Sequence, residues 1–242
     1  MKFVYSSLSK TGLLRNTNED AVGVFEYDDG IIIIVCDGLG GNNAGEVASQ
    51  MTVDIINKYF TSSDETDYLE RIKNSIIEAN RIVLQSSENN TDFKGMATTV
   101  EVLFLQENTA YWAHVGDSRI YHLRNKKLKQ LTKDHSLVQK LVDEGFLTLK
   151  EAENHPNKNI IIRALGDNPV IEVDISKLRF NSDDETVFFI CTDGVTAVIN
   201  DFELEEILSL KNKDQISQKI SRTVEERGAP DNYSFVIISK FE

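Results

Sequence analysis

Residues 98–131, TTVEVLFLQENTAYWAHVGDSRIYHLRNKKLKQL, decide how this chain folds. They divide into four short runs, TTVEVLFL (98–105), TAYWAHVG (109–116), SRIYHLR (118–124) and KKLKQL (126–131), rich in the β-branched and aromatic residues that suit a pleated surface. The pattern predicts a meander, with Asn125-Lys126 as a tight turn. Upstream, AVGVFE (21–26) and IIIIVC (31–36) read as two strands joined at Asp28-Asp29-Gly30. The second is apolar on both faces, which places it in a buried, central position.

Helical spacing follows. Val47, Met51, Ile55 and Tyr59 recur every four residues within a helix over Gly45–Phe60. Leu69, Ile72, Ile76, Ala79 and Val83 mark a second over Tyr68–Gln85, and the polar Ser86–Phe93 reads as a loop. Downstream of the meander, residues 132–168 break the strand rhythm, with short helices over Ser136–Glu144 and Leu149–Asn154. Strands near Val170–Leu178 and Thr186–Cys191, helices near Leu204–Leu210 and Gln215–Glu226, and a final strand Tyr233–Lys240 complete the chain. Strands occupy the middle and helices come in pairs. The pattern points to an α+β fold of two antiparallel sheets flanked by helices, with 132–168 as an inserted excursion. Three prolines and no Gly/Ser/Pro-rich linker make residues 1–242 one domain.

The chain carries 26 basic and 39 acidic residues, a net charge of −13. That sign argues against nucleic acid or an anionic membrane as a partner, and leaves carboxylates to gather around divalent cations. Two cysteines, Cys36 and Cys191, are too few for a disulfide scaffold or a Cys-only zinc site. MKFVYSSLSK lacks the apolar run of a signal peptide and no segment is long enough to span a bilayer, so a soluble, reducing, cytoplasmic setting is expected.

Four acidic spots share one grammar, an Asp at the end of an apolar strand: Cys36-Asp37-Gly38, Gly116-Asp117-Ser118, Thr192-Asp193-Gly194, and Asp231-Asn232 before the last strand. Any one alone is ordinary turn chemistry. Together, and with Asp37-Gly38-Leu39-Gly40-Gly41 placing three glycines behind a buried strand, they can bring carboxylates and carbonyls to one point. Hard cations such as Mg2+ and Mn2+ need that donor set. Arg15, in Arg15-Asn16-Thr17-Asn18-Glu19-Asp20, offers a guanidinium suited to phosphate, or else a surface ion pair.

The ordered motifs RNTNED (15–20), DGLGGNNAG (37–45), GDSR (116–119), TDG (192–194) and Asp231-Asn232 resemble those of the metal-dependent protein phosphatases of the 2C type. GMATT (95–99) resembles the family's Gly-Thr-Thr element, and TKDHS (132–136), Glu144-Gly145, His155-Pro156 and RALG (163–166) resemble the flap of bacterial members. The resemblance implies a four-layer α-β-β-α sandwich of two antiparallel sheets flanked by helices, with 132–168 as a small flap insertion. It also implies hydrolysis of phosphoserine and phosphothreonine in proteins by a water bridging two Mn2+ or Mg2+ ions, in opposition to a cognate serine/threonine kinase. It implies that Asp37 bridges both ions with the Gly38 carbonyl beside it, and that Asp193 and Asp231 complete the first ion's carboxylates. Arg15 would grip the phosphate, while Glu19, Asp20 and Asn232 support the site from behind. Asp117 is either a ligand at a third, weaker metal site or a turn carboxylate paired with Arg119.

Several positions depart from the family pattern. Leu39 and Asn42 stand where relatives carry histidines, so a leaving-group proton would come from a metal-bound water or from a flap group such as His135. His114, in a strand beside Trp112, reads as structural. Retained motifs argue against a catalytically dead phosphoprotein-binding module, and the charge argues against a nuclease. A monomer is expected.

Overall fold

The protein is described by a computed structural model, over residues 3–40, 44–181 and 186–240. Gly41 and Asn42 lie outside that range. In chain order the elements are β1 (Phe3–Lys10), β2 (Ala21–Tyr27), β3 (Gly30–Cys36), β4 (Gly38–Leu39), α1 (Ala44–Ser62) and α2 (Tyr68–Asn89). Then come β5 (Ala97–Thr98), β6 (Val100–Gln106), β7 (Thr109–Val115), β8 (Arg119–Arg124), β9 (Lys127–Gln130), α3 (Leu137–Asp143) and α4 (Leu149–Glu153). The last are β10 (Asp174–Arg179), β11 (Thr186–Cys191), α5 (Asp193–Thr196), α6 (Asp201–Leu208), α7 (Lys213–Glu226) and β12 (Tyr233–Lys240).

Two five-stranded antiparallel sheets result, ordered β1-β12-β11-β8-β9 and β10-β7-β6-β3-β2, with a small β4-β5 ribbon beside them. The alternation along β3 shows why the sheets stack. Ile31, Ile33 and Val35 join a cluster with Phe188, Ile190, Val236 and Ile238 of the other sheet. Ile32, Ile34 and Cys36 face the opposite way, against Ile56 and Phe60 of α1 and Ile72 and Ile76 of α2. All six side chains are essentially inaccessible, and each buried Ile or Val contributes about 1.5–3 kcal/mol over exposure. On the far side, Leu204, Ile207, Ile216, Ile220 and Val224 of α6 and α7 cover Phe189, Phe235 and Ile237. The layers are helix, sheet, sheet, helix, as the sequence predicts.

Several boundaries differ from expectation. β1 is absent from the sequence reading because FVYSSLSK is half polar and does not alternate cleanly; pairing along the whole length of β12 makes it a strand. α2 runs on to Asn89, because Ser87 is buried and accepts a hydrogen bond from the Gly95 amide at 2.9 Å. β10 begins at Asp174 rather than near Val170, whose side chain is exposed. α6 starts earlier than expected because Asn200 and Glu203 form a reciprocal capping box.

Candidate active site

The four Asp-bearing corners sit at one end of the sandwich. Asp37 leaves β3, and Asp20 precedes β2, whose Ala21 is paired with Cys36. Asp193 leaves β11, and Asp231 precedes β12; in this antiparallel pair Cys191 lies opposite Phe235. Asp117 lies in the crossing from β7 of one sheet to β8 of the other. Carboxylates far apart in sequence thus meet where the edges of the two sheets come together.

Two glycines show how tightly the backbones approach. A Cβ at Gly38 would stand 2.3 Å from the Gly45 carbonyl oxygen and 2.4 Å from that of Glu19. A Cβ at Gly194 would stand 1.8 Å from the Asn232 carbonyl oxygen, so only glycine lets α5 start against the lead into β12.

Asp37 is held by its backbone. Its amide donates to Thr99 Oγ1 at 2.9 Å, while its carbonyl accepts from the Thr99 amide and from Thr98 Oγ1, each at 2.9 Å. Thr99 Oγ1 also meets Ser118 Oγ at 3.0 Å, beside Asp117. Thr98 exchanges backbone hydrogen bonds with Leu165, where the flap returns. Sequence reasoning noted the Thr-Thr pair by resemblance and missed this bracing role; two adjacent hydroxyls at a fully buried strand start are the signal.

The electrostatics are those of a cation site. Burial pushes the Asp37 carboxyl well above the usual range, and repulsion from Asp20, Asp193, Asp117 and Asp231 adds to it. Burial, then Asp231, raises Asp193 in the same way. Asp20 is pushed up to about 7, mainly by burial, although Thr192 Oγ1 donates to its Oδ2 at 2.9 Å. Asp117 is pushed up to about 8, by burial and then by Asp193. Asp20 Oδ1 and Asp117 Oδ1 are buried and have no hydrogen-bond partner among the described residues. Arg15 is exposed and pairs with Asp231, Nη2 to Oδ2 at 2.7 Å. An all-oxygen cluster with orphaned acceptors, and with its nearby guanidiniums engaged elsewhere or at its solvent edge, fits hard divalent cations.

The remaining expected residues take defined places. Glu19 presents its backbone carbonyl to the Gly38 amide at 3.1 Å, and burial raises its carboxyl. Asn232 braces the N-terminal loop, its Oδ1 accepting from the Gly12 amide at 3.2 Å. Asp117 is not paired with Arg119, whose guanidinium instead forks onto Asp134. Cys36 and Cys191 are buried free thiols inside the apolar clusters.

His135 belongs to the flap root. Its ring accepts from the Gly116 amide through Nδ1 at 3.1 Å, lies beside Arg163 at 2.9 Å, and stacks on His114 at 4.4 Å. His114, His135 and Asp174 bring ligand-type atoms within 4.8 Å of one another. Their rings lie only 15° from parallel, so the nitrogen lone pairs run side by side, and Arg163 already supplies the positive charge through Asp174 Oδ1 at 2.9 Å. Glu101, opposite His114 across β6 and β7, is fully buried; its Oε1 lies 3.6 Å from His114 Nδ1, neither oxygen has a hydrogen bond among the described residues, and burial raises its carboxyl strongly.

A sequence profile described as Protein phosphatase 2C matches residues 15–232. The chain belongs to the protein phosphatase 2C family. It is 37% identical over 237 residues to "Serine/threonine phosphatase stp" of Listeria monocytogenes, covering 95% of this chain and 92% of that one. Its fold matches the crystal structure of the Mycobacterium tuberculosis serine/threonine phosphatase PstP/Ppp with a TM-score of 0.90 at 30% identity, covering 99% of each chain. It also matches the PstP catalytic domain in complex with 2 manganese ions, with a TM-score of 0.86 at 29% identity, covering 98% of this chain and 97% of that one. The flap, the two sheets and their paired helices are therefore the architecture of bacterial metal-dependent serine/threonine phosphatases.

Proposed function

We propose that Asp37, Asp193 and Asp231, with the Gly38 carbonyl, hold the Mn2+ or Mg2+ ions of a phosphatase acting on phosphoserine and phosphothreonine in proteins. The observation that carries this reading is the convergence of carboxylates from both sheets with too little positive charge to offset them. Such cations supply Lewis acidity: they offset the charge on a phosphoryl group and make water a stronger acid. The family membership and the printed activity of the Listeria relative support the same reaction. They favour an active enzyme over a phosphoprotein-binding module.

The protein's own groups have distinct tasks. Arg15, at the solvent edge, presents guanidinium N–H groups that can take two phosphate oxygens together. Asp20 and Glu19 lie behind the cluster and hold negative charge close to it. Asp117 stands aside as a further, weaker carboxylate. Neither His114 nor His135 serves as the acid for the leaving oxygen: both rings are buried at the flap root, and burial lowers the basicity of each.

The substrates would be phosphorylated proteins supplied by a serine/threonine kinase, and the chain would work as a cytoplasmic monomer. No helix among the described residues is long and apolar enough to cross a membrane. The test is hydrolysis of p-nitrophenyl phosphate and a phosphothreonine peptide by the purified chain. Turnover with Mn2+ and its loss in EDTA support the reading; no turnover with any divalent metal returns the chain to a binding role.

A further inference from the structure

Asp117 and Arg119 line the same groove, a cleft of about 550 Å3 between the flap and the α5–α6 segment, with Asp193 also in its wall. A buried carboxylate two residues from an arginine would ordinarily become its ion-pair partner. Here it does not. Arg119 Nε meets Asp134 Oδ1 and Oδ2 at 3.0 and 3.1 Å, Nη2 meets Oδ2 at 2.7 Å, and Nη1 donates to Tyr121 Oη at 3.0 Å. Asp134 is itself steadied by Gln130 Nε2 at 2.8 Å. The next residue, His135, is tied to Gly116 in both directions, its amide donating to the Gly116 carbonyl at 2.7 Å and its ring accepting from the Gly116 amide. The flap root therefore fixes Asp134 against the corner that bears Asp117. Asp117 is left 7% exposed, with one oxygen that has no hydrogen-bond partner among the described residues.

We propose that Asp134 is a positioning residue that holds the Arg119 guanidinium off Asp117 and so keeps that carboxylate free for a divalent cation. This rests on the reading of Asp117 as a cation ligand. Released from Asp134, the guanidinium keeps Tyr121 Oη and has two other carboxylates in the groove to turn to, Asp201, whose Oδ1 lies 4.0 Å from Nη1, and the buried Asp117. Turned toward Asp117, it would set a like charge against an arriving cation.

The test is isothermal titration of the full chain with Mn2+ alone, for wild type, Asp117→Asn, Asp134→Asn, Arg119→Gln and the double variant Asp134→Asn/Arg119→Gln. Circular dichroism confirms that each is folded. Asp117→Asn should remove the weakest binding event. Asp134→Asn should weaken it by about tenfold, the scale of one charge contact near the dielectric of water, as suits a groove open to solvent. The double variant should return it to near the wild-type value, which a merely structural role for Asp134 would not do. Arg119→Gln alone should bind at least as well as wild type, and this arm stands even where Asp134→Asn is unstable. An unchanged titration for Asp117→Asn overturns the reading of Asp117 itself. If Asp117→Asn removes the event but Asp134→Asn leaves it unchanged, or the double variant stays weak, the role given to Asp134 is overturned.

Discussion

Arg15 Nη2 and Asp231 Oδ2 lie 2.7 Å apart, so the guanidinium assigned to phosphate rests on a carboxylate assigned to metal. Both side chains are partly solvent-exposed, at 47% and 33%, which makes the pair a weak one. A cation at Asp231 can displace it at little cost, and the displaced guanidinium is then free for substrate. Asp117, by contrast, is spared any such pairing.

Arg15→Ala should therefore act in two directions. Losing a competitor tightens Mn2+ binding by no more than about fivefold, since an exposed pair contributes about 0.2–1 kcal/mol. Losing the phosphate contact raises KM for a phosphopeptide more than it lowers kcat. Titration calorimetry and steady-state kinetics on one preparation check both signs. A fall in Mn2+ affinity would show that Arg15 supports the metal site instead.

Thr99→Val removes the hydroxyl that accepts from the Asp37 amide and meets Ser118. Leaving that amide unpartnered should cost about 1–3 kcal/mol of stability and weaken Mn2+ binding. Thr99→Ser keeps the hydroxyl and should behave nearly as wild type. Urea unfolding of both variants decides it; a loss in Thr99→Ser with little in Thr99→Val would point to the methyl group rather than to the hydrogen bond.

Stability without metal should fall as pH rises from 6.5 to 8. Carboxyls with raised folded-state values, Asp20 at about 7 and Asp117 at about 8, bind protons in the folded state that the unfolded chain has released, so their contribution is lost on the alkaline side. His114, lowered to about 3, acts oppositely but only below the ordinary histidine range. Lys213, lowered to about 8, opposes the fall toward the top of the window, as its folded-state amine begins to lose its proton, and does not cancel the two carboxyls. Each proton of difference is worth about 1.4 kcal/mol per pH unit. The gain in melting temperature on adding Mn2+ should accordingly be larger at pH 8 than at pH 6.5. Scanning calorimetry with and without Mn2+ measures it, and equal gains would contradict the crowded-carboxylate account.

Most of the fold was legible because its signals are periodic. Ile31–Cys36 is apolar at every position and proves to be covered on both faces, and the spacing of Ile72, Ile76, Ala79 and Val83 places each of them in the core. β1 was not legible, since an edge strand is specified by its partner and not by its own half-polar sequence. The Asp-bearing strand ends were visible as motifs, and their convergence follows from sheet topology. The pairing of Arg119 with Asp134 was not, because adjacency in sequence pointed to Asp117, and the choice of partner depends on how the flap root docks. The bracing of Asp37 by Thr98 and Thr99 depends likewise on a long-range contact.

Asp193→Asn should abolish turnover while making the metal-free protein more stable, by about 1 kcal/mol. It removes a buried charge that burial disfavours and Asp231 repels. The pairing of lost activity with gained stability, read by peptide hydrolysis and urea unfolding, distinguishes a functional carboxylate from a structural one.

The most direct measurement is anomalous scattering from a crystal of the protein soaked in Mn2+. The account predicts strong peaks bounded by Asp37, Asp193 and Asp231, and a weaker one at Asp117. Peaks confined to other surface carboxylates, with none among these aspartates, would contradict it.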